Sequence, residues 1–391
     1  MSHLKTTIIL ILFYVLMQIV ACRGNPEKAH PVPEGYVSLF NGSDFTGWNI
    51  QPDLGAWIVQ DSVIFCKGKP GSPYAILTKK KYENFELFVD FKMSKNCNSG
   101  IFIHTPEYGR ESRVGFELQI LDSYGKKVDK QACGAIYNVE TPEVNAVKPA
   151  GEWNTFHVKF DWPRCQIWLN DKKIQDVDFW RNPALRYRLR SGYIGLQNHA
   201  HKVWFRNIYV KELASKEKWT DLFNGKNLSG WHSVGNANWR VANGKIIADG
   251  REGYLVSDDE YKHFEFQAYV ERGRQKDGGG FYYRWKNESD PGYKTEFYNF
   301  KLAKQLLQQY SVNPEEKPGG YTLPAFTQKY LLTQIISYDR ESIVRLNGLD
   351  VQRNLNLVNV RSGHIVLYHK PGDGKFRVFG LRIKELNEFA F

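Results

Sequence analysis

The sequence predicts an all-β protein built from two tandem β-sandwich domains, and two observations carry this prediction. Aromatic residues make up 15% of the 391 residues, and together with β-branched residues they form short runs that suit half-buried strands. An internal repeat supplies the number of domains. A Leu-Phe-Asn-Gly…Gly-Trp motif spans Leu39–Trp48 and recurs at Leu222–Trp231, 183 positions later (222 − 39). The repeat predicts one copy over residues 34–213 and a diverged second copy over residues 217–388.

Short strands separated by turns account for most of each copy. Phe85–Phe91 and Thr155–Phe160 are aromatic and β-branched runs and are predicted strands. Asn170-Asp171 in the first copy and Asn347-Gly348 in the second each separate two such runs, which predicts two β-hairpins. Many short strands with regular turns favour a two-sheet sandwich. The one predicted helix is a short one near Leu302–Gln309.

The N-terminus is different from the rest of the chain. Lys5 supplies a positive charge, Ile8–Val20 is apolar apart from one glutamine, and Ile19–Cys22 resembles a bacterial lipobox. We therefore expect a signal peptide over residues 1–21 and a lipidated tether over residues 22–33, anchored to the membrane through Cys22. The alternative is an ordinary signal peptide whose Cys22 is lost on cleavage. The expected location is the periplasm or outer membrane of a Gram-negative bacterium.

Charge and cysteine content narrow the classes of function. The net charge of +11 is scattered among acidic residues rather than clustered, and no nucleic-acid-binding motif is present, so no nucleic-acid partner is expected. Four cysteines follow Cys22, all in the first copy. Because an exported protein meets an oxidising compartment, these four residues are expected either as disulfides or as buried thiols: Cys66, Cys97, Cys133 and Cys165.

Five motifs in the first copy occur in a fixed order and together carry a family resemblance. They are Leu39–Trp48, Asn98–Phe102, Gly115–Asp122, Lys148–Asn154 and Gly192–His199. This set resembles the 3-keto-disaccharide hydrolase domain family. The resemblance implies a concanavalin-like or laminarinase-like jelly-roll sandwich with a sugar-binding face. It also implies action on glycosides whose glucose C3 hydroxyl has been oxidised to a ketone by a separate oxidoreductase.

The sequence departs from the family pattern in both copies. The first copy has Gln197-Asn198-His199 where the family usually has Gln-Asp-His. In the second copy, alignment of the glycine motifs puts Lys294 opposite Glu117 and Lys370 opposite His199. The second copy is therefore predicted to be non-catalytic.

A C3 ketone opens a route to bond cleavage that ordinary glycosides lack. The ketone acidifies the C2 hydrogen, so that a base can remove it and the C1 substituent can leave by β-elimination. Addition of water to the resulting enone then gives net hydrolysis. This route requires a base, a stabiliser for the enolate and help for the leaving oxygen.

Four residues are predicted to be catalytic: Glu117, His199, His104 and Asp122. Glu117 shares a strand face with Gln119 by the two-residue period, opposite an apolar face. Asp122 falls on the apolar side by the same rule, so a bulge or the strand end must turn it inward to the site. His199 ends a strand, where loops tend to carry function.

His104 and a possible metal are linked predictions. His104 ends the strand that begins at Ser99 and is expected on the same face as Phe102. Glu117, His104 and His199 have side chains suited to a divalent metal ion, which is the one cofactor considered. No spacing pattern supports that set.

Eight further residues in the motifs are predicted to bind the sugar. Amide side chains suit hydroxyl groups, Lys148 suits the ketone or a surface turn, and aromatic rings suit stacking or the core. The set is Asn98, Gln119, Tyr137, Lys148, Trp153, Asn154, Gln197 and Asn198.

Two other functions are compatible with such a sandwich. One is a non-catalytic carbohydrate-binding lipoprotein. The other is a conventional retaining glycosidase, whose strand carries a Glu-x-Asp-x-x-Glu pattern where this chain has Glu117-x-Gln119-x-x-Asp122. Gln119 lacks the central charge of that pattern, which ranks this alternative last.

Overall fold

The computed structural model describes most of the two copies. The described residues are 32–50, 55–70, 75–108, 111–271, 278–296, 329–355, 357, 361–369 and 374–386. The predictions for the signal peptide, Cys22, the helix near Leu302–Gln309 and Lys370 lie outside these ranges. Within them, no helix is long and apolar enough to cross a membrane.

The first copy consists of short strands and one single-turn helix. In chain order the strands are β1 (Val37–Ser38), β2 (Trp48–Asn49), β3 (Trp57–Gln60), β4 (Val63–Cys66), β5 (Ala75–Thr78), β6 (Phe85–Met93), β7 (Asn98–Thr105), β8 (Phe116–Leu121), β9 (Trp153–Asp161), β10 (Arg164–Leu169), β11 (Lys172–Asp178), β12 (Tyr193–Gln197) and β13 (Val203–Glu212). Helix α1 (Glu111–Val114) precedes β8.

These strands form two antiparallel sheets that pack face to face. The eight-stranded sheet has the order β11-β10-β9-β6-β13-β4-β3, with β1 on β13, and the five-stranded sheet has the order β2-β5-β12-β7-β8. Alternate residues of both sheets fill the space between them, such as Phe116 and Leu118 of β8 and Phe156 and Val158 of β9, all fully buried. The predicted sandwich and its hairpin at Asn170-Asp171 are thus confirmed.

The second copy is a similar sandwich, and all its strands are joined in one hydrogen-bonded sheet. They are β14 (Thr220–Asp221), β15 (Trp231–Ala242), β16 (Lys245–Tyr261), β17 (Phe264–Glu271), β18 (Gly280–Trp285), β19 (Tyr293–Glu296), β20 (Tyr330–Tyr338), β21 (Glu341–Leu346), β22 (Leu349–Leu355), β23 (Gly363–His369) and β24 (Phe376–Glu385). The order is β19-β18-β23-β16-β24-β17-β20-β21-β22, with β14 on β24 and β15 on β16.

The long strand β16 belongs to both layers of the second sandwich. Its first part pairs with β24, and the part from Gly253 onwards pairs with β23. One core therefore forms between the layers, with Phe281 and Leu367 on one side and Phe264 and Val378 on the other. In the first copy, β4 and β5 take these two positions as separate strands.

The motif that revealed the repeat has a structural role in both copies. The indole Nε1 of Trp48 donates to Leu39 O at 2.7 Å, and that of Trp231 donates to Leu222 O at 2.6 Å. Asn41 in the first copy accepts two backbone N–H groups of its own turn. The motif therefore closes the entry loop of each sandwich and carries no chemistry.

The four described cysteines are free thiols in the core of the first copy. Burial raises the pKa of Cys66 to about 11 and that of Cys97 and Cys133 to about 12. Of the two expectations for these residues, the structure has buried thiols.

Candidate functional site

The candidate site lies on the outer face of the five-stranded sheet. Because Phe116, Leu118 and Ile120 point into the core, Glu117 and Gln119 point away from it. Strand pairing sets Glu117 beside Phe102 and Gln119 beside Gly100.

The next strand, β12, completes this face. Its pairing with β7 puts Gly195 beside Phe102, and Leu196 opposite Ile101, so Gln197 is level with Gly100. Ser99 Oγ on β7 donates to Gln197 O at 2.9 Å and fixes the end of β12. Phe102, which is buried but outside the core cluster, forms the floor beside the two glycine positions. Phe102 is not among the site residues predicted from the sequence, although the two-residue period puts it on this face.

Glu117 lies in a confined position on this face. It is 3% exposed, and a Cβ added to Gly100 would come within 2.7 Å of its Oε1. The Gln119 amide is best satisfied with its nitrogen facing Ser99 O and Glu117 Oε1, each at 3.2 Å. A carboxylate with a neutral donor in a water-poor wall is suited to take a proton from a bound ligand.

A loop segment extends the sheet beyond β8 and brings Tyr137 to the site. Gln119 N donates to Ala135 O at 3.0 Å, and Tyr137 N donates to Glu117 O at 2.9 Å. Ile136 lies in the core next to Leu118, so Tyr137 is on the outer side beside Glu117, where it is half-buried. The structure therefore places the predicted residue Tyr137 next to the carboxylate.

Asn98 and His199 lie at the far end of the same face. The Asn98 amide is 3.4 Å from that of Gln119. His199 is half-buried in the loop after β12, with its ring parallel to that of His201 at 6.3 Å. β12 ends at Gln197, which is level with Gly100 and Gln119, and His199 follows two residues later, beyond this level and on the side away from Glu117. His199 is therefore at the rim of the site.

The prediction that His104 shares this face is wrong. His104 has a φ of 54°, which reverses the alternation of β7 and turns the ring into the core. The ring packs edge-on against Phe160 at 4.6 Å, and Nε2 is 2.8 Å from Glu83 O. Burial lowers the pKa of His104 to about 4. A role for His104 in contact with substrate is excluded by this position.

The proposed metal set fails for the same reason. His104 lies inside the sandwich, whereas Glu117 lies on its outer face and His199 at the rim. Over the ranges that the structure describes, no group of three or more His, Cys, Asp or Glu residues is arranged to hold a metal ion.

Asp122 is not turned towards Glu117, contrary to prediction. Its backbone N–H continues the pairing with β7 by donating to Cys97 O at 3.0 Å, and its carboxylate accepts Asn96 N at 2.8 Å. It lines a cleft of about 620 Å³ whose wall includes Lys92 and Trp204 of the eight-stranded sheet. Asp122 thus closes a turn at the end of the sandwich.

The motif Lys148–Asn154 also lies away from Glu117, which corrects three predictions. Asn154 is fully buried, and its Oδ1 accepts Lys148 N and Asn170 Nδ2, both at 2.8 Å. Lys148 Nζ donates to Trp153 O at 3.0 Å, and the Trp153 ring lies on the outer side of the eight-stranded sheet against Arg206. These residues stabilise a loop of the other sheet.

Asn198 ties the loop after β12 to the neighbouring strand. Its Oδ1 lies 3.4 Å from Cys66 Sγ, and its Nδ2 donates to Lys69 O at 3.2 Å. An amide supplies both a donor and an acceptor, which the usual aspartate does not. The departure from Gln-Asp-His is thus explained by loop structure, and the prediction that Asn198 binds sugar is not supported.

The strand pairing of the second copy bears on its predicted divergence. Tyr282 pairs with Lys294 as Phe102 pairs with Glu117. Phe281 pairs with Leu367, which sets Tyr368 at the place of Gln197. The corresponding face of the second copy therefore has a lysine in place of the carboxylate.

Fold and site together define a two-layer β-sandwich protein with a carboxylate and amides on one sheet face. The chain belongs to the family described as the 3-keto-alpha-glucoside-1,2-lyase-like domain, which matches over residues 35–211 and again over residues 218–382. The resemblance predicted from the five motifs is thereby confirmed.

The chain is also similar to individual proteins. The chain is 26% identical over 230 residues to a 3-keto-disaccharide hydrolase of Bacteroides thetaiotaomicron, covering 46% of this chain and 79% of that protein. It is 30% identical to a crystal structure from Parabacteroides distasonis ATCC 8503 that bears the provisional name glycosyl hydrolase, over 48% of this chain and all of that one, with a TM-score of 0.42. A second structure from that organism is 28% identical over 46% of this chain and 99% of its own, with a TM-score of 0.41.

Proposed function

We propose that the first copy cleaves glycosides whose glucosyl unit carries a ketone at C3, and that Glu117 is the base that removes the C2 proton. The observation that carries the proposal is the confined Glu117 carboxylate beside the Gln119 amide and Tyr137. Membership of the family and the name of the Bacteroides relative support the substrate class.

The proposed reaction balances without a redox step in this protein. Glu117 takes the C2 proton, and the C2–H electron pair is delocalised onto the C3 oxygen as an enolate. Re-formation of the ketone expels the C1 substituent and leaves a C1=C2 double bond. The departing oxygen takes a proton, and addition of water across the double bond gives net hydrolysis. A separate oxidoreductase must supply the ketone.

The remaining residues of the face have distinct proposed roles. Tyr137, beside Glu117, donates a proton to the departing oxygen, and the Gln119 and Gln197 amides hold sugar oxygens. Asn98 and His199 at the rim contact the unit that leaves. These roles are given only to predicted residues on the outer face of the five-stranded sheet or at its rim. His104, Asp122 and Lys148–Asn154, which lie elsewhere, have no role in the proposed reaction.

The proposal is tested with a chromogenic 3-keto-glucoside and the full chain. We expect Glu117→Gln to lower kcat at least 100-fold, the usual contribution of a general base being about 10²–10⁴-fold, at an unchanged melting temperature. Asp122→Asn is the matched control and is expected to stay within about threefold of wild type, because its carboxylate accepts Asn96 N in a turn at the end of the sandwich and is not turned towards Glu117.

The isotope content of the sugar tests the elimination route. In D2O the released sugar is expected to carry deuterium at C2, which direct hydrolysis at C1 does not introduce. Full activity of Glu117→Gln would contradict the assignment of the base. Binding without release of the aglycone would favour the carbohydrate-binding alternative.

A retaining glycosidase is a weaker candidate. Its two carboxyl groups stand about 5–5.5 Å apart on one site, whereas here Gln119 is neutral and Asp122 lies on a turn at the end of the sandwich. Unoxidised glycosides are therefore expected to be poor substrates.

A further inference from the structure

We propose that the second copy is a positioning domain for the first: it holds the ends of β7, β8 and β12, and so fixes the carboxylate of Glu117. This inference rests on the proposed function for the meaning of Glu117, but its structural part is separately testable. It gives a role to the copy that carries Lys294 in place of the carboxylate.

All three strands of the site meet the second copy at the same end. β7 ends at Thr105, β8 begins at Phe116 and β12 begins at Tyr193, and antiparallel pairing brings these points together. Segments 106–108 and 111–115 connect β7 to β8, and residues 185–192 lead into β12. Contacts on these segments therefore act on the whole site face.

An apolar cluster joins these segments to the second copy. Val114 and Leu189 are buried together with Leu332 of β20, and Tyr269 of β17 packs against them. Leu189 N donates to Val114 O at 3.0 Å, so the entries to β8 and β12 are themselves linked. Val114 is only three residues before Glu117.

Tyr108, just after β7, adds an aromatic contact. Its ring lies 4.4 Å from that of Tyr330, 5.6 Å from that of Tyr269 and 6.0 Å from that of Phe379, all in the second copy. The end of β7 therefore also contacts the second copy.

Polar contacts converge on one carbonyl of the first copy. The Arg345 guanidinium, 8% exposed, donates to Tyr187 O, and Gln334 Nε2 donates to the same oxygen at 3.4 Å. Gly348, next to this arginine, is so close that an added Cβ would lie 2.7 Å from Arg113 O. At Gly348 the second copy therefore packs so closely against the backbone of the first copy that no side chain would fit between them.

Arg188, the residue after Tyr187, connects this contact to the start of β8, the strand that carries Glu117. The adjacent Arg188 donates from NH1 to Ser112 O at 2.8 Å and to Gly115 O at 2.9 Å. Gly115 is wedged against β7, since an added Cβ would lie 2.3 Å from Ile103 O. Glu117 follows two residues later, so its backbone position is set by this chain of contacts.

The geometry predicts a loss of rate rather than of binding when the contact is weakened. A catalytic group must be held within about 0.5 Å of its productive position, and small displacements lower the rate of the chemical step. Arg345 touches no reacting atom in this scheme, so it is a positioning residue.

The test compares Arg345→Met with Arg353→Met in the full chain. Both arginines pair with Asp350, but Arg353 is half-exposed, whereas Arg345 is buried and donates to Tyr187 O. For Arg345→Met we expect kcat on a 3-keto-glucoside to fall at least tenfold with KM within threefold, and for Arg353→Met no change. Leu332→Ala, which thins the apolar contact without altering charge, is expected to show the same pattern as Arg345→Met.

Hydrogen exchange separates positioning from general destabilisation. In Arg345→Met and Leu332→Ala, the backbone N–H groups of Glu117 and Gln119 are expected to exchange at least tenfold faster than in wild type. Those of Leu87 and Val89 in β6 are expected to keep their wild-type exchange rates. Equal acceleration in β6, or wild-type kcat and exchange in both variants, would overturn the proposal. If wild type cleaves no 3-keto-glucoside, the proposed function fails, and the exchange rates alone decide the positioning role.

Discussion

His104 and Arg284 occupy the same backbone position in the two copies and do the same work. Both have positive φ, 54° and 56°, and both are fully buried. His104 Nε2 lies 2.8 Å from Glu83 O, and Arg284 NH2 donates to Lys262 O at 3.3 Å, the matching carbonyl of the second copy. An unpaired buried carbonyl is costly. Each copy therefore has at this position a side chain that reaches the carbonyl, an imidazole in the first copy and a guanidinium in the second.

Burial of neutral His104 makes stability depend on pH. Its pKa is about 4 in the folded protein and about 6.5 in an unfolded chain. The unfolded state therefore binds more protons below pH 6.5, and stability falls as pH drops from 6.5 to 4, by about 3 kcal/mol from this residue. We expect His104→Gln to unfold more easily at pH 7 but to lack this part of the slope, as measured by denaturant titration. Parallel curves for wild type and His104→Gln would contradict this expectation.

At the scale of elements, the positive φ of His104 at the end of β7 explains why the motifs have glycines just before β8 and β12. An added Cβ at Gly115 would lie 2.3 Å from Ile103 O, and one at Gly192 would lie 2.4 Å from His104 C. In the second copy Gly292 and Gly363 would meet Arg284 at 2.5 and 2.3 Å. The strands that begin at or just after these glycines can approach β7 in the first copy and β18 in the second only because no side chain is present.

Two glycines of the first copy are expected to respond differently to alanine. At Gly115 the obstacle is backbone, so Gly115→Ala should cost about 2–3 kcal/mol by overpacking and lower the melting temperature by roughly 5–10 °C. At Gly100 the obstacle is the Glu117 side chain rather than backbone, with Oε1 at 2.7 Å and Cγ at 2.9 Å. Gly100→Ala should therefore lower kcat at least tenfold with little change in melting temperature. Thermal unfolding and kinetics of the two variants check this, and a large melting shift for Gly100→Ala with unchanged kcat would refute it.

At the scale of the whole molecule, a chain of buried charges joins the two copies. Arg190 of the first copy pairs with Glu217 at 3.1 Å, and Lys384 of the second copy pairs with Glu217 and, at 3.2 Å, with Glu265. Although burial raises the pKa of Glu265, the charges of Lys384 and Arg190 outweigh it and bring this pKa to about 2. The contact between copies is therefore electrostatic as well as apolar.

Removing the central cation should destabilise the assembled chain. Lys384→Met leaves Glu265 buried without its ion-pair partner and leaves Glu217 paired with Arg190 alone, at a cost of about 3–5 kcal/mol at pH 7. The ionised Glu265 contributes stability above its unfolded pKa of about 4.3, and this contribution is lost as pH falls towards 2. The difference between wild type and variant should accordingly shrink below about pH 4.3. Denaturant unfolding at pH 7 and pH 3 measures it. Lys286→Met, which breaks a half-exposed pair with Glu260, should cost at most about 1 kcal/mol; equal costs for both lysines would count against the buried network.

The sequence by itself determined the features that depend on local pattern. The repeat of Leu39–Trp48 predicted two similar sandwiches, the turn residues Asn170-Asp171 and Asn347-Gly348 predicted two hairpins, and strand alternation put Glu117 and Gln119 on one outward face. These follow from neighbours in the chain, because a two-residue period and a tight turn involve only a few consecutive residues.

Only the tertiary structure decided which motifs share a site and what the second copy contacts. The inward turn of His104, the carboxylate of Asp122 on a turn and the place of Lys148–Asn154 on the other sheet all depend on pairing between distant strands. The hydrogen bond from the Arg345 guanidinium to Tyr187 O joins residues 158 positions apart. A local pattern sets which side of a strand a residue faces, but pairing and packing set what lies there, and the sandwich has two outer faces that the two-residue period cannot distinguish.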